Sequence, residues 1–533
     1  MHPQPRPSTD DPSRTGILAS MCLALVLVVA SVSSVNLALT GISLDLGTTS
    51  SQLTWVADGY TVALAALVLP FGALGDRLGR RTLLLVGTVV FGVAALAAAA
   101  AGSAGALIGA RVAMGVGAAM IMPGTLSTIT AVFPAAKRAK AVSVWAGFAS
   151  SGAILGLLTC GLILEWWSWR ATFVATAILS VVAFVGAWVL TPNTADPEEA
   201  VIDLPGFALS GIGIGALVYA IIDGAEAGWT TVNALGGLGV ALASLVAFVL
   251  WELRTDRPML DVRLFRLRGF GTGALALTVQ FLCLFGFFLV GLQFLLLVLG
   301  YSPLLSAVCL LPMATIVMPL SRAAPHIVDR FGPRAVMSVG LACLGAGLLI
   351  VAQLDATSTY WHFLGGLLAF GVGMALTSTP STTAIVSSLP RAKQGVASAV
   401  NDVSRELGSA LGIAILGSLF TSGYSSAVSD AVEALPAAVP PEATHAVGES
   451  AGAGFAVAER LGDGGGNQLA DAVAGAFSSG LHQAMTVGAV IAFATAAVTM
   501  WRGPRRDRVA PVGHEDLDTT PVAPDRALAE VAA

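Results

Sequence analysis

The sequence predicts an all-α integral membrane protein with fourteen transmembrane helices. Of its 533 residues, 56% are hydrophobic and only 11% are charged, whereas a soluble domain carries about 25% charged residues. The apolar residues fall in runs of about 18 or more, long enough for a helix to cross a bilayer core of about 30 Å. A charged turn also occurs twice between such runs. These observations argue against a soluble globular fold.

Fourteen apolar runs are separated by charged or turn-rich segments, and each run predicts one span. Their approximate limits are 17–40, 52–74, 82–101, 104–130, 141–164, 171–191, 204–223, 232–252, 270–298, 303–325, 335–354, 360–385, 395–421 and 482–501. Six spans form a bundle over 17–191, two inserted spans occupy 204–252, and six more form a bundle over 270–501. We further expect a cytoplasmic leader at 1–16, a long extracytoplasmic loop at 423–480 and a disordered cytoplasmic tail at 502–533.

The basic residues predict the orientation. Segments on the side of the N-terminus hold 22 of the 27 Lys and Arg residues, while the opposite side holds only Arg170 and Arg460. Arg111, Arg322 and Arg405 lie in or at the ends of spans. By the positive-inside rule, this asymmetry predicts a multi-pass membrane protein with both termini in the cytoplasm.

Several kinds of site are not expected. The five cysteines lie inside apolar runs at irregular spacing, so the sequence predicts neither disulfide bonds nor a metal site. It has no Gly-rich phosphate-binding loop that ends in Lys and Ser or Thr, so an ion gradient remains the candidate energy source. We expect no cofactor and no nucleic-acid partner, and a monomer in the lipid bilayer.

The charged turn at 72–81 lies between the second and third spans, and a shorter copy follows 253 residues later at 329–334. This repeat predicts two related halves, with spans seven and eight inserted between them. Positive-inside bias explains the arginines but neither the acid nor the glycines. We therefore expect the turns to act as gates that bind a helix dipole in one conformation and release it in another, with topology alone as the alternative. The gating residues are Gly72, Gly75, Asp76, Arg77, Gly79, Arg80 and Arg81, then Asp329, Arg330, Gly332 and Arg334.

Four segments resemble a known family. GALGDRLGRR at 72–81 resembles the signature of the major facilitator superfamily between helices two and three, and ARVAMGVGAAM at 110–120 resembles its helix-four pattern. SSVNLAL at 33–39 and SWRATF at 168–173 resemble segments of its fourteen-helix drug:proton antiporter branch. The resemblance covers nearly the whole chain, and it implies the major facilitator fold and export of small molecules in exchange for protons.

The chain departs from this family at two places. Exporters of the branch usually carry an Asp five residues before the helix-one Asn, whereas this chain has Ser31 before Asn36. Of the helix-five motif, the chain keeps Gly152, Gly156 and Gly161, with Leu157 in place of Pro and Cys160 in place of Gly. The first departure concerns the proton-coupling route, and the second concerns the bend of helix five.

The candidate proton-coupling residues are Asp58, Arg111, Asp402 and Glu406. A lone carboxyl such as Asp58 is costly within a span, so it should face a cavity or a basic partner; an interfacial acid or helix cap is the alternative. Arg111 should lie at a similar depth and can pair with Asp58. The resemblance implies that Arg111 takes part in proton transfer, although it could simply tie helices together. Asp402 and Glu406 share a helix face beside Arg405, which can neutralise Asp402. The resemblance implies that acids at this place bind cationic drugs or couple protons, and a self-paired surface turn is the alternative.

The predicted substrate wall is aromatic and weakly polar. Such a surface suits amphipathic organic molecules through apolar and cation–π contacts, while lipid exposure is the alternative for any one Phe. Its members are Gln280, Phe281, Phe285, Phe287, Phe288 and Gln293 in span nine, with Asn36, Trp55, Tyr60 and Met114 from the first half.

The sequence therefore predicts a proton-coupled exporter of hydrophobic or amphipathic small molecules, such as antibiotics, in a bacterial cytoplasmic membrane. Two six-helix bundles would work by alternating access. A lipid or metabolite exporter, or an uncoupled facilitator, is an alternative with the same fold. A membrane-embedded sensor or enzyme is the second alternative, although the sequence lacks a cluster of His, Cys and acidic residues that would favour it.

Overall fold

The computed structural model describes residues 12–48, 50–192, 203–255, 258–389, 393–433, 444, 447–448, 450–462 and 465–504. Within these ranges it contains fourteen helices that are long and apolar enough to cross a membrane, which confirms the predicted fold class. Residues 1–11 of the predicted leader and 505–533 of the predicted tail lie outside the described residues. Because the number of spans is even, span one begins and span fourteen ends on one face, here termed the terminal face.

The first bundle begins with a long helix and closes with span six. Spans two and three are separated by Gly79 alone, whose φ of 101° lies in the left-handed region that favours glycine. The Ser103 side chain accepts a hydrogen bond from the Ala106 amide and caps span four. Spans one to six are Pro12–Leu46, Ser50–Leu78, Arg80–Ala99, Ala104–Val132, Ala135–Leu164 and Trp169–Leu190.

The two inserted spans form a hairpin, Leu204–Ala227 and Val232–Glu252. Side chains cap both helices: Asp203 accepts from the Gly206 amide, and Thr231 accepts from the Ala234 amide. Span seven packs against spans two and thirteen, so the hairpin contacts both bundles. A linker with a 3₁₀ turn at Val262–Arg266 leads from it to span nine.

The second bundle has two broken helices. Span nine, Arg268–Gln293, continues as a π-helical turn at Phe294–Val298. Span ten consists of Pro303–Cys309 and Leu311–Phe331, so it extends beyond the predicted limit of 325 despite two internal prolines. Spans eleven to fourteen are Pro333–Ala352, Tyr360–Ser387, Gln394–Glu433 and Gly465–Arg502.

The segment 423–480 is not a long loop over its described part. Span thirteen continues to Glu433, span fourteen begins at Gly465, and a short helix at Ala451–Leu461 packs against span fourteen. The Tyr424 hydroxyl donates to the Val447 carbonyl over 2.8 Å. The prediction was wrong here because an Ala-rich polar sequence that leaves the membrane can still continue a helix.

The repeat extends well beyond the two charged turns. Gly117 packs against the backbone of span three, where an added Cβ would lie 2.9 Å from the Gly87 carbonyl oxygen. Its counterpart Gly373, 256 residues later, makes the same approach to span eleven, where the distance to the Gly340 oxygen would be 2.7 Å. Both bundles therefore use glycine to bring equivalent helices into backbone contact. The helix-five glycines also have counterparts in span thirteen, at Gly408, Gly412 and Gly417.

Candidate functional site

Asp76 joins the two bundles at the terminal face. Its carboxylate accepts hydrogen bonds from the backbone amides of Gly395 and Val396, over 2.8 and 3.1 Å. Both amides belong to the first turn of span thirteen, where the helix dipole is positive. Arg80 donates to the same carboxylate from Nε and Nη2, over 2.9 and 2.7 Å. Asp76 is only 3% exposed, so these four bonds satisfy a charge that water does not reach.

Glycine permits this contact between spans two and thirteen. A Cβ on Gly72 would collide with the Ala399 Cβ and lie 2.8 Å from the Gly395 carbonyl oxygen. A Cβ on Gly395 would in turn collide with the Gly72 carbonyl oxygen and the Asp76 carboxylate. The two helices therefore touch through backbone atoms, which no larger residue at either position would allow.

Among the other residues of the charged turn at 72–81, Arg81 ties span three to span six. Arg81 donates from Nη2 to the Trp188 carbonyl of span six over 2.6 Å, and its guanidinium lies 5.9 Å from the Trp188 ring centroid. Gly75 has looser surroundings, since an added Cβ would first meet the Leu83 side chain at 3.3 Å. Arg77 lies in the last turn of span two and is half-buried.

The second turn does not repeat the buried acid of the first. Asp329 is exposed, and the Arg330 guanidinium lies over the neighbouring Phe331 ring at 5.5 Å. Gly332 has a φ of 82°, in the same left-handed region as the φ of 101° at Gly79. The Arg334 side chain packs beside Gly503. The backbone turn is therefore shared by the two halves, whereas the carboxylate contact between bundles is made by Asp76.

Arg111 is a fully buried tie between three helices. It donates from Nε to the Val56 carbonyl over 2.9 Å, from Nη2 to the Ala57 carbonyl over 3.2 Å, and from Nη1 to the Ser31 carbonyl over 3.3 Å. Its guanidinium lies 4.6 Å from the Tyr60 ring centroid. Asp58 is half-buried and attracts Arg111 electrostatically. The geometry supports the helix-tie interpretation of Arg111 and keeps a carboxyl group within electrostatic range.

Ser31 occupies the position at which the resembled exporters carry an acid. Its carbonyl oxygen contacts Arg111, and its hydroxyl donates to the Leu27 carbonyl of its own helix over 2.7 Å. An acid at this position would lie beside Arg111. In this chain, main-chain carbonyls solvate the guanidinium in place of that acid.

A second group of polar residues, here termed the polar cluster, consists of Asn401, Asp402, Arg405 and Glu406 in span thirteen. Asp402 and Arg405 are 0% and 4% exposed, which excludes the surface-turn alternative for both. Arg405 Nη1 lies 3.7 Å from Asp402 Oδ1, and the Asn401 amide donates to the same oxygen over 3.3 Å. Glu406 is half-buried.

Aromatic side chains enclose the arginine of this cluster. The Arg405 guanidinium lies 4.6 Å from the Phe281 ring centroid in span nine and 5.4 Å from the Trp145 ring in span five. Trp145 belongs to the first bundle and is fixed by a 3.1 Å hydrogen bond from its Nε1 to Thr125 Oγ1. Sequence analysis missed Trp145, because a single Trp in an apolar run is usually a packing residue.

The polar cluster has hydrogen-bonding capacity to spare. Asp402 Oδ2 and Arg405 Nη1 have no hydrogen-bond partner among the described residues. Gln280, the residue before Phe281 in span nine, is fully buried, and neither polar atom of its amide has a partner there either. Buried polar groups are normally satisfied, so this cluster can accept a proton or bind a polar group of a small molecule.

The structure separates the predicted substrate wall into two parts. Phe281 and Phe285 stack with centroids 6.4 Å apart beside the polar cluster, and Phe288 and Gln293 are half-buried further along span nine. Phe287 is wrongly assigned to the wall, since it stacks on Phe370 at 4.8 Å inside the second bundle.

The residues from the first half also need correction. Trp55 stacks on Tyr219 of span seven at 5.6 Å, so its ring packs on the inserted hairpin. Tyr60 and Met114 are fully buried within the first bundle, where the Tyr60 hydroxyl donates to the Val28 carbonyl over 3.1 Å. Tyr60 and Met114 therefore leave the candidate wall, whereas the place of Trp55 in it stays a prediction. The side chain of Asn36 lies outside the described part of the chain.

The helix-five glycines bring span five onto span one. A Cβ on Gly156 would lie 2.6 Å from both the Cα and the carbonyl oxygen of Ala30, and one on Gly152 would lie 3.1 Å from Val29. Gly161 is less constrained, with the Leu304 side chain 3.5 Å away. Cys160 donates from Sγ to the Ser34 carbonyl over 3.0 Å. The contact with span one therefore survives the loss of the family's Pro and Gly at 157 and 160.

Comparison with known proteins gives consistent results. A family model described as Major Facilitator Superfamily matches residues 21–413. The chain is 35% identical over 494 residues to the multidrug efflux pump LfrA of Mycolicibacterium smegmatis, covering 92% of this chain and 97% of that protein. It is 32% identical over 413 residues to the multidrug resistance protein Stp of Mycobacterium tuberculosis, covering 77% of each.

Solved structures show the same fold. The human organic anion transporter MFSD10 superposes with a TM-score of 0.62 at 12% identity, covering 92% of this chain and 100% of that one. At this identity the similarity concerns the fold alone.

Proposed function

Since the chain belongs to the major facilitator superfamily and is a transporter rather than an enzyme, we propose that it exports hydrophobic or amphipathic small molecules, antibiotics among them, in exchange for protons. The observation that carries this proposal is the similarity to LfrA over nearly the whole chain. The aromatic surroundings of Arg405 and the unsatisfied atoms beside it support it, because drug-like molecules bind to apolar surfaces with a few polar groups.

In this proposal the protein works by alternating access in a bacterial cytoplasmic membrane, as a monomer. The excess of basic residues on the terminal face favours a cytoplasmic location for that face. The contact of Asp76 with Gly395 and Val396 then closes the cytoplasmic side. Opening that side requires the carboxylate to leave the first turn of span thirteen, which is a two-state change of the kind that gates use.

Proton coupling is assigned to the polar cluster first. Arg405 can neutralise only one of its two acids, Asp402 or Glu406, so the cluster carries one negative charge when both are ionised. Charge is costly inside a membrane, and a proton or a cationic substrate would each remove it. Because the proton and the cationic substrate would compete for the same negative charge, binding of one would release the other, and the protein would exchange them across the membrane. Asp58 near Arg111 is the second candidate proton site.

An uncoupled facilitator, or an exporter of lipids or metabolites, is the second candidate. The observation that favours a facilitator is the environment of Arg111, because three carbonyl oxygens satisfy its guanidinium where related exporters place an acid near Ser31. A facilitator would only equilibrate its substrate across the membrane.

Cells with and without the gene should differ in resistance to a panel of cationic dyes and antibiotics, and a protonophore should abolish the difference. In inverted vesicles with an imposed pH gradient, wild-type protein should accumulate dye. Asp402→Asn and Asp58→Asn should each abolish uphill accumulation while expression is unchanged. Asp355→Asn, in a turn outside the spans, is the matched control and should transport normally.

Dye equilibration without accumulation would select the facilitator. Undiminished uphill transport by Asp402→Asn would remove that residue from the coupling mechanism, and the same result for Asp58→Asn would remove Asp58. Equal sensitivity of the two kinds of cell to every compound would contradict drug export.

A further inference from the structure

Two acidic residues meet at the terminal ends of the inserted spans. Asp203 caps span seven, and its Oδ1 accepts hydrogen bonds from the Gly206 amide and from Trp251 Nε1, over 2.9 and 2.8 Å. Glu252 ends span eight, is 3% exposed, and accepts from the Leu260 amide through Oε2 over 3.3 Å. Each carboxyl group therefore has one oxygen with a donor.

The remaining two oxygens face each other. Asp203 Oδ2 and Glu252 Oε1 are buried and have no donor among the described residues. Both lie beside Gly206, where an added Cβ would collide with the former and lie 2.8 Å from the latter, and the two carboxyl groups are within hydrogen-bonding contact. An ionised carboxylate can only accept, so two ionised groups in this position would repel and leave both oxygens unsatisfied.

We propose that Asp203 and Glu252 form a proton-binding site, separate from the polar cluster, in which the two carboxyl groups share one proton. One protonated carboxyl group then donates to the other, which supplies the donor that both oxygens lack and leaves the pair with a single negative charge. Carboxyl pairs this close titrate as a unit, because the first charge opposes formation of the second.

The surroundings of the pair are defined by three elements. Span seven contributes Asp203, span eight contributes Glu252 and the Trp251 indole, and the linker contributes the amides of Met259 and Leu260. Two cations are close in sequence or structure. Arg254 is exposed, and Lys393 faces the linker from the start of span thirteen, donating to the Pro258 carbonyl over 3.4 Å.

The proton site is connected to the gate on two sides. Glu252 accepts a hydrogen bond from Leu260 of the linker, and Lys393 donates one to Pro258 of the same linker. Lys393 lies two residues before Gly395, whose amide donates to Asp76. On the other side, Phe207 lies one turn after Asp203 and packs edge-on against Phe71, with centroids 6.2 Å apart. Loss of the shared proton would drive the carboxyl groups apart and loosen both connections.

Thermal unfolding of the purified full-length protein across pH tests this site. The folded protein would hold a proton that the unfolded chain releases, so stability should fall as pH rises through the titration of the pair. Glu252→Gln places a neutral donor where the protonated carboxyl stood. The Glu252→Gln variant should unfold at the wild-type temperature at low pH. Its unfolding temperature should then fall less than that of wild type as pH rises. Glu252→Ala should unfold at a lower temperature at every pH.

Infrared difference spectra between acid and alkaline pH give a readout that a purely structural role would not change. Wild-type protein should show a protonated-carboxyl band of which one component, additional to those of other buried acids, is missing in Glu252→Gln and in Asp203→Asn. Glu165→Gln, at an exposed acid, is the control and should leave the band unchanged.

An unaltered band in Glu252→Gln, or an unaltered pH dependence of its unfolding, would overturn the proposal. The comparison of wild type with Glu252→Gln decides the matter even if Glu252→Ala fails to fold. Neither measurement requires transport, so the proton site can fail while the proposed export function stands, and the reverse also holds.

Discussion

Replacement of Asp76 by Asn should open the terminal face. Asn keeps the shape of the side chain but carries no charge, and its amide nitrogen cannot accept a hydrogen bond. Of the Gly395 and Val396 amides, which donate to different oxygens of Asp76, one therefore keeps a neutral acceptor and the other loses its acceptor. A hydrogen bond to a charged group contributes about 1.5 to 3 kcal/mol, against about 0.5 to 1.5 kcal/mol for a neutral one. One bond therefore weakens by about 1 to 1.5 kcal/mol and the other is lost, so the contact loses roughly 2.5 to 4.5 kcal/mol. This shifts the ratio of closed to open protein by on the order of a hundredfold to a thousandfold.

Spin labels can measure this shift directly. Leu78, at the terminal end of span two, and Ser387, at that of span twelve, are exposed and belong to different bundles. In a background without the native cysteines, the label distance should be short in wild-type protein. Asp76→Asn should populate a second, longer distance.

The second charged turn provides the control. Asp329→Asn makes the same chemical change at the exposed counterpart of Asp76, so it should leave the distance distribution unchanged. Identical distributions for wild type and Asp76→Asn would refute the assignment of Asp76 as the closing contact, and an equal response of Asp329→Asn would show that the effect is not specific to it.

Three further predictions concern stability. Arg111→Lys should lower the free energy of unfolding by about 2 kcal/mol, measured by thermal denaturation, because a Lys cannot reach three carbonyl groups in a fixed plane; unchanged stability would contradict its role as a helix tie. Gly156→Ala should cost about 1 to 3 kcal/mol by overpacking against Ala30, whereas Gly161→Ala should be tolerated; equal effects would show that the approach of spans one and five does not matter. Asp45 lies beyond the apolar, membrane-crossing segment Arg14–Val35 of the first helix, and hydrogen bonds from Arg170 and then Trp169 hold its pKa below the usual range. The stability that this contact contributes is present above the unfolded pKa and is lost as pH falls through the folded pKa. Asp45→Asn should remove that acid-side loss from the pH profile of the unfolding temperature, and an unaltered profile would count against the contact.

The number of membrane spans follows from the sequence because it depends on local properties. Whether a helix can cross a bilayer is set by the length and hydropathy of one segment, so fourteen spans could be counted without knowing what each one packs against. The repeat between Asp76 and Asp329 was visible for the same reason, since it is a pattern of residue types along the chain. Local composition wrongly predicted a long loop at 423–480, where the helices continue beyond the apolar runs.

The contacts between polar groups depend on how distant helices pack, and the sequence did not predict them. Asp76 binds an amide 319 residues away, and Arg111 draws its carbonyl partners from two other helices. Tyr60 and Trp55 were equally plausible cavity residues in the sequence, yet they pack against different helices. The physical reason is that the burial and pairing of a side chain depend on which faces of distant helices come together, and that choice is made by the packing of all the spans at once.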